Sequence, residues 1–339
     1  MSITGFRIAA MLLALWPAAS HAQGDDALKG RNVTLIIGSG VGGGIDLYGR
    51  VIARHIGRHL PGQPTVVPQN MPAAGSIAAA NHMFNIAPKD GSVIALLSQG
   101  LILDELIGTP GLQFELAKFS WIGRVSSDIA LLFTMKNSKV KTITDAFTTE
   151  AVIAGTGAGS SVTKSPMLMS AVVGTKFKVI VGYSGTGASY LAAERGEVDG
   201  VTTGWGGFKS ARANWIADKM INLVVQMGTV RHPDLPDVPS WLDVAKTEED
   251  KKLLYLFGAN ADIGKSLNAP PGLPPERLAA LHAAYAAMLK DPAFLAEIKK
   301  LKMDLDHAPA ERVQRILADT AAVPEALRAR ARSLYRAAK

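Results

Sequence analysis

The sequence predicts an α/β protein of two lobes built alike, each a mainly parallel sheet flanked by helices. Three observations predict it. From Val33 to Ser98 short β-branched runs alternate with helical periods as strand, helix, strand, helix, strand, an order that implies right-handed crossovers. The opening pattern then returns, because AVIAGTGAGSSVTKSPMLMSAVVG (151–174) echoes VTLIIGSGVGGGIDLYGRVIARHIG (33–57). Finally, 339 residues, 48% hydrophobic and 19% charged, suffice for two globular domains with real cores.

The chain begins with a positive residue (Arg7), an apolar run from Ile8 to Ala19, and small residues at Ser20 and Ala22. This reads as a secretory signal, residues 1–22, cleaved after Ala22. Its 12 apolar residues fall short of the roughly 20 that span a bilayer. Without Arg7, 35 basic residues face 29 acidic ones. That excess is spread too thinly to argue for nucleic acid. Cysteine is absent, which excludes disulfides, cysteine zinc sites, iron–sulfur clusters and cysteine nucleophiles.

VTLIIG (33–38) reads as a buried strand. After the glycines, Tyr48, Val51, Ile52, His55, Ile56 and His59 recur at helical spacing opposite Arg50, Arg54 and Arg58, and Pro61 to Pro64 end that helix. TVVPQN (65–70) is the next strand, Ile77 to Ala87 a helix, and SVIALLS (92–98) a third strand. WIGRVSSDIALLFTM (121–135) holds extended runs that carry the chain from one lobe to the other. In the second lobe, 151–174 is followed by the strand KVIVGYSG, a helix from Ala188 to Glu194, the strand VDGVTTGW, a helix around Ser210 to Lys219, and NLVVQMG. The Pro- and Asp-rich VRHPDLPDVPSW returns the chain. KTEEDKK (246–252) is a solvated loop or helix face, and the Ala-, Leu- and Arg-rich end from PPGLPPERL onward forms helices packed on the first lobe. The lobes are therefore expected at 23–125 with 240–339 and at 126–239, with hinge crossings near 125–132 and 228–240.

The most informative stretch is GSGVGGGID (38–46), where glycines after a strand let backbone N–H groups converge beside a helix N-terminus that favours an anion. It contains G-x-G-x-x-G, but the acidic residue that a dinucleotide site wants about 20 positions on is missing around Gln63. Capture of a carboxylate or similar small anion fits better. Asp46, in the first helical turn, complements the helix dipole or caps the helix. GTGAGSS (155–161) repeats the device with hydroxyls, and Thr163 or Lys164 adds donors or charge near the same helix start. PAAGS (72–76) and VGYSGTG (181–187) are further strand-end turns, and Tyr183 and Trp205 hint at aromatic stacking. The candidate ligand-binding residues are Ser39, Gly40, Val41, Gly42, Gly43, Ala74, Gly75, Ser76, Thr156, Gly157, Ser160, Ser161, Tyr183, Ser184, Gly185, Thr186 and Thr203. No catalytic residue, metal site or cofactor is expected. The alternative is an exported serine hydrolase using Ser184 or Ser161, although Gly182-Tyr183-Ser184-Gly185-Thr186 lacks the final glycine of G-x-S-x-G. His55 and His59 have i, i+4 spacing without the Glu of H-E-x-x-H.

Taken together, VTLIIGSGVGGGIDLYGRVIARHI, VVPQNMPAAGSIAAANHMFNIAPKDGSVIAL, GTGAGSS, VGYSGTG followed by AAERGEVDG, and LPDVPSW resemble the periplasmic substrate-binding proteins of tripartite tricarboxylate transporters, the Bug receptors. The resemblance covers nearly the whole chain after the signal. It implies a two-lobed periplasmic binding-protein clamshell that holds a small carboxylate through loop amides, hydroxyls and waters. It also implies delivery to integral-membrane permease subunits, or in some cases to signalling partners. The matching loops are Ser39 to Gly44, Ala73 to Ser76, Thr156 to Ser161, Tyr183 to Thr186, and Thr202 to Trp205. Two departures stand out: Ser39-Gly40-Val41 replaces the usual Pro-rich start of the first loop, and Thr163 and Lys164 stand where a His is frequent. A periplasmic monomer is expected.

Overall fold

A computed structural model describes residues 28–337; the expected signal, 1–22, lies outside them. In chain order the first part forms β1 (Asn32–Ile37), α1 (Gly44–Ile56), β2 (Thr65–Asn70), α2 (Ile77–Asn85), β3 (Val93–Leu96), α3 (Leu101–Ile107) and β4 (Ser120–Ser126). The middle forms β5 (Ala130–Met135), β6 (Ala151–Gly155), α4 (Ser161–Val173), β7 (Phe177–Val181), α5 (Thr186–Glu194), β8 (Gly200–Gly204), α6 (Trp205–Ala211), α7 (Ala213–Ala217) and β9 (Ile221–Met227). The last part forms α8 (Glu248–Gly258), α9 (Asn260–Ile263), β10 (Lys265–Ala269), α10 (Pro275–Met288), α11 (Pro292–Lys300), β11 (Ala308–Pro309), α12 (Ala310–Ala321) and α13 (Glu325–Ala337).

These strands make two sheets, ordered β11-β4-β10-β3-β1-β2 and β7-β6-β8-β5-β9. In each, the block built from strand–helix–strand units is parallel: β2-β1-β3 in the first and β7-β6-β8 in the second. The sheets are mixed because the segments that cross between them add antiparallel strands, β4 with β10 on one side and β5 with β8 and β9 on the other. Only Ser127 to Ile129 separate β4 from β5, so the 121–135 run does carry the chain from one sheet to the next.

The apolar periods explain the packing. The Tyr48, Val51, Ile52 and Ile56 face of α1 joins Leu35, Ile37, Leu96, Tyr285 and Phe294 in a core over one face of the first sheet. Aromatic residues Phe133, Tyr190, Phe208 and Trp215 fill the outer core of the second sheet, with Phe133 and Phe208 ring centroids 4.8 Å apart. A third core runs continuously between the remaining faces, from Ile36 and Leu103 to Ile153, Leu168 and Leu254. His55 and His59 belong to this scaffold: His55 Nε2 lies 2.6 Å from Glu297 Oε2 and His59 Nε2 2.9 Å from Asp291 Oδ2, joining α1 to the α11 segment. The KTEEDKK run is capped by Thr247, whose hydroxyl accepts from Asp250 N at 3.0 Å, and α8 then packs against α4 of the second sheet. Among the described residues no helix is long and apolar enough to cross a membrane.

Candidate functional site

The Gly-rich loops emerge where the carboxyl ends of the parallel strands of both sheets face one another, the usual position for ligands in α/β folds. Between them lies a cavity of about 50 Å³. Of the candidate residues, Ser39, Gly40, Gly43, Gly75, Thr156, Gly157, Ser160, Ser161, Ser184, Gly185, Thr186 and Thr203 line it. Three helices begin on this cavity: α1 after Gly43, α4 after Ser160 and α5 after Gly185. Their first N–H groups and positive dipole ends therefore converge on one small space, a geometry that favours negative charge. Ser160 occupies the N-cap position of α4, yet its side chain makes no capping hydrogen bond.

Five candidates lie off the cavity lining. Val41 is 67% exposed, because the loop turns its side chain outward. Gly42 donates its N–H to Asp46 Oδ2 at 2.9 Å and so serves the loop's own shape. Ser76 is fully buried and its hydroxyl accepts from Ser98 N at 2.9 Å, which fixes the neighbouring strand end. Ala74, Gly75 and Ser76 carry φ of 52°, 67° and 87°, a left-handed run held against the opposite lobe, and of the three only Gly75 reaches the cavity. Tyr183 packs on the core of the second sheet. Trp205, the other expected stacking aromatic, is buried and donates its indole N–H to Asp234 Oδ2 at 3.1 Å. Among the described residues no aromatic side chain lines the cavity. Lys164 is also absent from the lining, for its ammonium is buried against Asp104.

Sequence reasoning missed other lining residues, notably Ser98, Gln99, Asp128 and Lys265. Asp128 and Lys265 are the two charged residues in the lining, and they pair with each other, the Lys265 ammonium on Asp128 Oδ2. Gln99 Nε2 donates to the same oxygen at 3.1 Å. The lining thus carries no net charge, and an anion there is met by N–H dipoles and hydroxyls.

The first loop is held from behind. Asp46 Oδ1 accepts from Asn70 Nδ2 at 2.8 Å, both Asp46 oxygens accept from Arg50 Nε at 3.0 Å, and Asn70 Nδ2 also donates to Ser39 O at 2.8 Å. Burial alone would raise the Asp46 pKa, but the bonds from Arg50, Gly42 and Asn70 outweigh it and hold the carboxyl below its usual range. In the second lobe Thr203 Oγ1 is fixed 2.6 Å from Tyr190 OH.

The glycines have a further role. A Cβ on Gly40 would lie 2.6 Å from the Ser184 carbonyl carbon, on Gly75 2.5 Å from Gly159 C, and on Gly100 2.6 Å from Ser161 N. Backbone meets backbone across the cleft at each point, so the lobes are closed on one another.

Residues 49–330 match the model of a family described as tripartite tricarboxylate transporter family receptor. A curated relative from Pseudomonas sp. (strain P51), a UPF0065 protein in the tcbD-tcbE intergenic region, is 24% identical over 87% of this chain and 84% of its own. Among solved structures, the periplasmic binding protein BugD superposes with a TM-score of 0.71 at 18% identity, over 91% of this chain and 98% of BugD. MatC from Rhodopseudomonas palustris, solved with bound malate, gives 0.68 at 20% identity, over 90% of this chain and 98% of MatC. Both likenesses support the two-lobed binding-protein fold.

Proposed function

Because this chain belongs to the tripartite tricarboxylate transporter receptor family, we propose that it is a periplasmic receptor that captures a small carboxylate between its lobes and delivers it to integral-membrane permease subunits. The observation that carries this reading is the convergence of three helix N-termini, with Ser39, Ser160, Ser161, Ser184 and Thr186, on one small cavity between the lobes. Its volume of about 50 Å³ is far below the roughly 300 Å³ at which sites for drug-sized ligands begin. That favours a compact acid and disfavours a dinucleotide. Malate, the ligand of MatC, is of the right class, and its carboxylates would take the N–H and hydroxyl donors of both lobes.

The receptor is proposed to act as a monomer with lobes at 23–125 with 240–339 and at 126–239, although α8 packs against the second sheet. Capture needs no chemical step: a ligand that binds the closed form better than the open one shifts the population, and the closed shape reports occupancy to the permease. Against the serine hydrolase alternative, among the described residues no histidine lines the cavity beside Ser161 or Ser184.

The test is a thermal-shift screen of residues 23–339 against mono-, di- and tricarboxylates, aromatic acids, amino acids and NAD. A stabilising shift confined to one carboxylate class is expected. A shift with NAD alone, or turnover across an ester panel, would overturn the reading.

A further inference from the structure

Beside the cleft, where α3 meets the start of α4, lies an ion pair with no exposure on either side chain, between Lys164 Nζ and Asp104 Oδ2. The same ammonium donates to Gly100 O at 3.0 Å and to Gly159 O at 2.9 Å. Asp104 Oδ1 accepts from Thr109 Oγ1 at 2.7 Å. Asp104 and Gly100 follow β3 of the first sheet, whereas Lys164 and Gly159 follow β6 of the second, so these contacts tie the two lobes. They also tie the ligand loops, since Ser98 and Gln99 precede Gly100, Ser160 and Ser161 follow Gly159, and all four line the cavity. Helix α13 packs on both α3 and α4.

We propose that Lys164 and Asp104 form an interlobe latch, a positioning pair that makes closure of the cleft all-or-none. Separation of the two loops would let water reach both charges. Closure strips that water away and compensates for it only when ammonium, carboxylate and the two carbonyls are all in register. A half-closed arrangement, dry but misaligned, is the least favourable, so the cleft has two states and not a continuum. Neither side chain is among the residues lining the cavity. The effect expected on ligand affinity rests on the receptor reading above, while the effect on shape does not.

The latch gives opposite signs for single and double substitution. Lys164→Met leaves Asp104 without its cation in the closed form only, so affinity for the carboxylate found in the screen should fall by about tenfold to a hundredfold, mainly through faster release. Lys164→Met with Asp104→Leu removes both charges and fills their space with apolar atoms, so closure becomes easier and affinity should return to the wild-type value or exceed it. Small-angle scattering without ligand gives the readout that is independent of binding: the double variant should be more compact than the single one. If the single variant does not fold, wild type replaces it in that comparison, and the double variant should be the more compact of the two. Equal affinities and equal scattering curves for wild type, single and double variants would overturn the latch. Failure of every carboxylate to bind wild type would instead overturn the receptor reading, leaving the scattering comparison to decide the latch.

Discussion

Gly40→Ala isolates the contribution of lobe closure. The glycine sits in the first loop, its backbone against Ser184 and Gly185 of the other lobe. An added Cβ would lie 2.6 Å from the Ser184 carbonyl carbon and 3.1 Å from Gly185 N. Carbon atoms rest at about 3.5–4.0 Å, so the loops must part by roughly 1 Å. Hydrogen bonds from one lobe to a ligand held by the other would stretch from about 2.9 Å to beyond bonding range. Losing two or three of them, at about 1 kcal/mol each, amounts to about 2–3 kcal/mol, or roughly 30- to 150-fold in Kd. Parting of the loops relieves this clash, so the melting temperature without ligand should move little. Isothermal titration gives the affinity and calorimetric melting the stability. A Kd within threefold of wild type, with melting unchanged, would refute the claim that the ligand is held by backbone-to-backbone closure at this point.

Two further outcomes follow from the groups behind the site. Asp46→Ala removes the acceptor of Gly42 N–H, Arg50 and Asn70, and should cost about 3 kcal/mol of stability in urea unfolding while weakening the ligand; a loss below about 0.5 kcal/mol would show that the network does not hold the loop. Acid should destabilise the protein. Asp46 is held below its ordinary value despite burial, Glu297 chiefly by Arg54, Asp234 chiefly by Lys209, and Asp304 against burial by His232 and Lys209. Groups with depressed values contribute above their unfolded pKa, 3.8 for Asp and 4.5 for Glu, and lose that contribution as pH falls through the folded value. Glu105 and Asp262, raised by burial, pull the other way. The melting temperature should stay nearly level from about pH 7 to 5 and fall steeply below about pH 4, and a level profile down to pH 2 would contradict these assignments.

The two-lobed α/β plan was legible because glycine-bearing turns close four strand-like runs, directly at Gly38 and Gly182 and within a few residues at Gly75 and Gly157, and because the first pattern recurs at 151. The direction of individual side chains was not. Val41 and Ser76 belong to loops that reach the cavity, but a left-handed turn buries Ser76 and the first loop turns Val41 outward, which no local spacing reveals. Ser98 and Gln99 were within reach, since Ser98 ends SVIALLS as Gly38 ends VTLIIG, and Gln99 follows it. Asp128 and Lys265 carried no comparable signal: one lies between two strands at a crossing, the other starts a strand some 140 residues later, and only the sheet order brings them together. Lys164 offered charge at a helix start, which suggested a ligand contact, whereas tertiary packing turns its ammonium to Asp104. In the sequence the glycines suit an anion cradle, and their backbone contact across the cleft adds a second reason for them.

The most direct test is a calorimetric titration of wild type and of the Ser160→Ala, Ser161→Ala double variant with the carboxylate that stabilises the protein most. Both hydroxyls line the cavity at the start of α4. One ligand per chain is predicted for wild type, with affinity in the double variant lowered by roughly tenfold or more. Saturable binding that is unchanged in the double variant would place the ligand elsewhere and contradict the account.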